Sequence, residues 1–192
     1  MKMWKATASI LIVLAAVMES GCQGRSVGTD FIRTSCSATA YPTLCYSSLS
    51  TYATAIQQNP KLLANAALSL SLDTAVSTSA DMLKLSHTAG MTPREVGAMQ
   101  DCVEELAESV QQLRKSMAEM KRIKASNFQT TMSDVQTWVS AALTDEDTCM
   151  DGFDGKLMDG SVKTTVRRKI ENVAHMTSNA LSLINTYATL HA

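Results

Sequence analysis

Cysteines carry the most specific chemistry in this chain. There are five, at 22, 36, 45, 102 and 149. The first falls in an N-terminal stretch expected to be removed, which leaves Cys36, Cys45, Cys102 and Cys149. An even number of thiols in an exported chain is the pattern of disulfide bonds, and four thiols allow three pairings. Other reactive groupings are poor. The three histidines, His87, His175 and His191, are not spaced with a cysteine or carboxylate in a metal-binding pattern. The acidic run Asp145-Glu-Asp-Thr-Cys-Met-Asp-Gly152 invites a calcium reading. It fails because neither the glycine nor the final glutamate falls at the offset such a loop requires. There is no nucleophile elbow, phosphate loop or dinucleotide fingerprint. The sequence therefore predicts no catalytic residue, no metal ligand and no cofactor, and points to a module that binds something.

Two of the cysteines test the helices that must hold them. Val96, Met99, Val103, Leu106, Val110, Leu113, Met117 and Met120 alternate three and four apart, a heptad stripe along one helix. Phe128, Met132, Val135, Val139 and Ala142 make a second stripe on a helix that ends at Cys149. Between them, 121–127 is basic and then polar, a helix end and a turn. The midpoint of Cys102 and Cys149 falls between Ala125 and Ser126, inside that turn. Two antiparallel helices folded there bring the two cysteines level, with Cys102 flanking the seam one step from Val103. A bond between them closes a loop of about 48 residues, worth roughly 4 kcal/mol by the chain-entropy argument. Cys36 with Cys45 is the remaining pair consistent with this hairpin.

Composition supports a helical reading. Of 192 residues, 45% are hydrophobic but only 5% aromatic, which favours helices over sheets. With 17 Lys plus Arg against 18 Asp plus Glu, the net charge of −1 gives no reason to expect nucleic acid or an anionic membrane. Lys2 and Lys5 precede an apolar run over 6–18, followed by Glu19, Ser20 and Gly21. This is a secretory signal, too short to span a bilayer, and 1–24 is assigned as a signal peptide. A lipoprotein reading of Ser20-Gly21-Cys22 is disfavoured by Glu19. No Asn-x-Ser/Thr acceptor occurs.

Asp30 is expected to cap a short helix over 31–36, and Pro42 to open a second carrying Leu44, Cys45 and Leu49. Together they form an N-terminal helical hairpin, 30–56. Too little apolar surface is available for it to stand alone, so it packs across a larger body. That body, 57–192, is four long helices. The first, about 60–87, offers Leu63, Ala66, Ala67, Leu70, Val76 and Leu83 to the core and stops at Gly90. Thr92-Pro-Arg-Glu95 opens the second with a capping box. The last carries Val166, Ile170, Val173, Thr177, Ala180, Ile184 and Tyr187 at three-four spacing. Short connections predict up-down-up-down packing. The fold class is all-α: a four-helix bundle preceded by a short hairpin and closed by two disulfides.

Three segments carry a resemblance. Tyr41-Pro-Thr-Leu-Cys45 after Cys36, Arg94-Glu-Val-Gly-Ala-Met-Gln-Asp-Cys-Val-Glu-Glu-Leu106, and Val135-Gln-Thr-Trp-Val-Ser-Ala-Ala-Leu-Thr-Asp-Glu-Asp-Thr-Cys149 resemble the plant invertase and pectin methylesterase inhibitor family. The likeness spans about 34–190. It implies the same bundle and hairpin, with disulfides running first to second and third to fourth cysteine. Invertase inhibitors of the family present Pro-Lys-Phe before the third long helix. Here Ser126-Asn-Phe128 keeps only the phenylalanine, so a pectin methylesterase is the implied partner and acid invertase the alternative. With the chain ending at Ala192, a free-standing inhibitor is implied, secreted to the cell wall and free of membrane once the signal is cleaved.

The resemblance also implies a reversible one-to-one complex that covers the esterase's pectin-binding cleft. The contact face assigned here is the polar side of the third long helix and its acidic end: Thr137, Ser140, Ala141, Thr144, Asp145 and Asp147. Small and hydroxyl side chains admit a close partner surface, and carboxyls sharing a proton with esterase carboxylates favour binding in acid. The competing classes are a lipid-carrying bundle, which needs an internal cavity, and an enzyme, which needs turnover without a partner.

Overall fold

The computed structural model describes residues 27–154, 158 and 160–191; the signal peptide assigned to 1–24 lies outside them, as do Gly155, Asp159 and Ala192. Residues 27–36 form helix α1. Then come α2 (Pro42–Leu49), a 3-10 turn (Ser50–Tyr52) and the single-turn α3 (Ala53–Ile56). The long helices are α4 (Pro60–Ser86), α5 (Pro93–Arg122), α6 (Phe128–Asp151) and α7 (Ser161–Thr189). Each packs on two neighbours, α4 and α6 both touching α5 and α7, so α4 and α6 stand on one diagonal of a square bundle. The α5–α6 and α4–α7 layers are therefore opposite faces.

Local chemistry sets the helix ends. Asn59 Oδ1 accepts from the N–H groups of Lys61 and Leu62 at 2.9 and 3.2 Å, with Pro60 in the first turn of α4. Gly90 sits at φ 95° after α4, a conformation a side chain resists. At α5 the expected box is complete: Glu95 N–H donates to Thr92 Oγ1 at 3.3 Å, and Thr92 N–H to Glu95 Oε2 at 2.8 Å. Asn127 clamps the α5–α6 turn, accepting from Lys124 N–H at 2.7 Å and donating to the Arg122 carbonyl at 3.1 Å.

The α6 stripe and all seven expected α7 positions face inward, Phe128 being half-buried and the others buried. Three expectations need correction. Asp30 lies within α1, not at its start, because the helix already includes residue 27. In α4, Val76 and Leu83 are outward at 39% and 50% exposure, and Ala66 and Leu70 are half-buried; the core row is Leu63, Ala64, Ala67, Leu68, Ser71, Ala75, Thr78 and Met82. Small and hydroxyl side chains fill that row because the core opposite them is itself partly polar.

In α5, the row Met99, Leu106, Leu113, Met120 is buried as expected, but its companion row is Cys102, Ser109, Ser116. Val96 is exposed, Val103 and Met117 are half-buried, and only Val110 of that expected row is buried. Cys102 thus lies in the seam and Val103 flanks it. Small side chains every seventh residue let α6 approach closely: the Cα atoms of the bonded Cys102 and Cys149 are 4.2 Å apart.

The hairpin is closed by Cys36–Cys45. Its apolar side chains, Ile32, Leu49, Ala53 and Ile56, are buried against Leu63 and Ala67 of α4 and Ala180 and Leu183 of α7. Gly28 is needed where α1 meets the Ala53 carbonyl, since a Cβ there would collide with backbone. Asn179 of α7 fixes the register: its Oδ1 accepts from Tyr41 N–H at 3.1 Å and its Nδ2 donates to the Tyr41 carbonyl at 3.0 Å. The Tyr41 ring stacks on His175 with centroids 3.6 Å apart.

Candidate partner-binding site on helix α6

The heptad stripe of α6 turns Met132, Val135, Val139, Ala142, Glu146 and Cys149 into the bundle, so the residues between them face out. Thr137, Ser140, Thr144 and Asp147 are exposed, and Ala141 and Asp145 are half-buried. All six residues assigned to the contact face lie outside the core. The hydroxyl of Thr137 donates to the Ser133 carbonyl at 2.9 Å, and that of Thr144 to the Ser140 carbonyl at 3.1 Å. Each spends its proton along the helix and presents lone pairs outward.

Asp145 does not stand alone. Its carboxyl and those of Glu105 and Glu108 on α5 have oxygens within 4.8 Å of one another. Asp145 Oδ2 is buried with no hydrogen-bond partner, and no lysine or arginine among the described residues pairs with any of the three. Desolvation, with Glu105 and Glu108 adding repulsion, pushes the Asp145 carboxyl up to about 6. Asp147 is also raised, by desolvation and then by Asp151, with His175 acting the other way. Arg167 and Arg168 do not relieve this acidic end: Arg167 bonds Asp154 at 2.9 Å and Glu171 at 2.8 Å, and Arg168 makes no ion pair among the described residues.

Sequence reading missed Glu105, Glu108 and Glu146. A signal for them existed in the cysteine arithmetic. Level residues on antiparallel α5 and α6 have numbers summing to about 251, as Cys102 and Cys149 do, which sets Glu105 beside Asp145 and Glu146. Glu146 itself is fully buried between two outward aspartates. Its Oε1 accepts from Ser109 Oγ of α5 at 2.8 Å and from Thr177 Oγ1 of α7 at 3.0 Å. Ser71 of α4 meets Thr177 at 2.7 Å, so the chain of bonds takes one residue from each long helix.

A polar groove runs between α4 and α7, where Asp73, Thr74, Asp81, Arg168, Lys169 and Asn172 line about 450 Å³ of shallow space.

A profile of the family described as plant invertase/pectin methylesterase inhibitor matches residues 30–183. The chain belongs to this family. It is similar to pectinesterase inhibitor 10 of Arabidopsis thaliana, 47% identical over 88% of this chain, although the match spans only 55% of that relative. A 21 kDa protein of Daucus carota is 44% identical over 100% of this chain and 99% of its own length. Pectinesterase inhibitor 11 of Arabidopsis is 44% identical over 83% and 81%. The crystal structure of a mutant form of a pectin methylesterase inhibitor from Arabidopsis superposes with a TM-score of 0.64 at 23% identity, covering 78% of this chain and 92% of that one, and shares the fold. The family is one of inhibitors, and this pectin methylesterase inhibitor relative is not an enzyme. Among the described residues no helix is long and apolar enough to cross a membrane.

Proposed function

We propose that the chain is a secreted inhibitor of pectin methylesterase, acting outside the cell in the wall. It binds the esterase one to one through the outer face of α6, covers the pectin-binding cleft, and so limits demethylesterification of homogalacturonan. The observation that carries the contact face is the acidic group at the α5–α6 seam: Asp145, Glu105 and Glu108 crowd together without a base. A surface that leaves three carboxyls unneutralised gains from a partner that supplies cations, or from one that shares a proton with them. The likeness to proteins named pectinesterase inhibitor supports the choice of target.

The pH dependence follows from sign. Asp145 keeps its proton up to about 6, so in acid it donates to a partner carboxylate, and toward pH 8 it repels one. Affinity is therefore expected to fall as pH rises from 5 to 8. The test is titration of the purified protein into parallel pectin methylesterase and acid invertase assays. Stoichiometric loss of esterase activity with invertase untouched is the expected result; the reverse assigns invertase. Thr144→Arg with Asp147→Arg is expected to abolish inhibition while leaving melting unchanged, and a fully potent double variant would exclude this face.

A further inference from the structure

Among the described residues Glu146 is a carboxyl buried with one oxygen unpartnered. It is fully buried on the α6 stripe between Ala142 and Cys149. The proton count orders its bonds. Thr177 gives its single hydroxyl proton to Glu146 Oε1, so Ser71 must donate to Thr177, and Ser109 donates to Oε1 from the other side. The other carboxyl oxygen, Oε2, is buried with no partner. An ionised Glu146 would leave that oxygen charged and without a protein donor inside the core, whereas a proton on Oε2 leaves only one unmet donor, a far smaller cost. Among the described residues no lysine or arginine pairs with it. The charges nearby make ionisation harder: Asp145 and Asp147 flank it on α6, Glu105 and Glu108 of α5 crowd Asp145, and α4 contributes only the Ser71 hydroxyl. His175 of α7 acts on Asp147.

We propose that Glu146 is a proton-dependent positioning residue: neutral, it ties the four long helices through Ser109, Thr177 and Ser71 and fixes the rotation of α6 that sets out Thr144, Asp145 and Asp147. The second half of this statement rests on the contact face proposed above. The first does not. Burial, partly offset by the Ser109 and Thr177 donors, lifts the carboxyl from 4.5 to about 8. The native state then holds a proton that the unfolded chain releases near 4.5. Stability from this group is complete below that value, falls as pH rises, and levels off above about 8. Each pH unit inside the window lowers the folded-to-unfolded ratio by up to about tenfold. The bundle is built to be firm in acid and to soften toward neutrality.

Glu146→Gln in the full secreted chain tests this, since the amide retains an acceptor for Ser109 and Thr177 and cannot titrate. Denaturant unfolding is followed from pH 5 to 8. Asp145, pushed up to about 6, is present in both proteins, so the difference between them isolates Glu146. The wild type is expected to lose up to about tenfold in folding ratio per unit over that range, and Glu146→Gln to lack that component. Parallel profiles overturn the proposal. Amide exchange along 140–150, corrected for intrinsic rate, should weaken with pH in the wild type and hold steady in Glu146→Gln; equal weakening overturns the α6 role. If Glu146→Gln does not fold, infrared absorption of a protonated carboxyl persisting at pH 7 in the wild type supports the proposal and its absence overturns it. A wild type that fails to inhibit any esterase sinks the proposed function and leaves the unfolding result intact.

Discussion

The two opposite layers of the bundle treat acids differently. On the α4–α7 side, Lys169 meets Asp81 at 2.6 Å and Arg167 bridges Glu171 and Asp154. Hydrogen bonding to Lys169, with its charge, holds the Asp81 carboxyl below the ordinary range. On the α5–α6 side, Asp145 is pushed up to about 6 by desolvation, Glu105 and Glu108, and Glu146 to about 8 by burial. The same side-chain chemistry shifts in opposite directions in the two layers. The α4–α7 layer pairs Asp81 and Glu171 with its own bases. The α5–α6 layer pairs Glu119 with Arg122 but leaves Asp145, Glu105 and Glu108 to protons or to another molecule, and the disulfide that holds it shut sits at the same end.

The comparison sharpens most at that disulfide. Cys102→Ser opens a loop of 47 residues' separation and Cys36→Ser one of 9. The chain-entropy argument predicts losses of about 4 and about 2.7 kcal/mol respectively. Denaturant midpoints in which Cys36→Ser hurts as much would mean the seam gains nothing special from its bolt. Next in size is Thr177→Val, which strips a donor from Glu146 and an acceptor from Ser71 inside the core. A cost of about 1–3 kcal/mol is expected at pH 5, read by the same unfolding curves.

Asp145→Asn goes the other way. It relieves repulsion on a half-exposed carboxyl, so a gain below about 1 kcal/mol is expected after solvent screening. The raised carboxyl costs the wild type nothing below its unfolded value of 3.8 and its full amount above about 6, so the gain should appear between those pH values and stay flat beyond. A loss of stability at pH 7 would break the contrast between layers. Asp81→Asn is expected to have the smallest effect, a slight fall in melting temperature at low ionic strength that molar salt erases. Its lowered carboxyl contributes fully above the unfolded value of 3.8 and loses that contribution as pH falls through the folded value, so the fall should vanish in strong acid, and inhibition should be unchanged.

Helices, turns and cysteine register were readable because each leaves a local mark. Thr92 through Glu95 spells its cap, and the midpoint of Cys102 and Cys149 marks the turn. The inner face of α4 and one seam row of α5 were not readable, for a shared reason. Hydropathy patterns reward large apolar side chains, and here Ser71, Thr78, Ser109 and Ser116 take interior places while Val76, Leu83 and Val96 stay outside. A core that holds a carboxyl needs hydroxyls around it, and hydroxyls look like surface to any reading of periodicity. The outward face of α6 was legible because it is the complement of a strong stripe. Its acidic neighbours on α5 were not, since two helices must first be placed side by side.

Asn179 has a consequence for how the chain is made. The peptide group of Tyr41 leaves the ribosome 138 residues ahead of the amide that will grip it, and the same last helix supplies Ala180 and Leu183 to the hairpin's oily underside. The Cys36–Cys45 loop is short enough to close at once. Its stapled arm must then travel with Ile32, Leu49 and Ile56 uncovered until α7 has emerged, so an early part of the fold is among the last to find shelter.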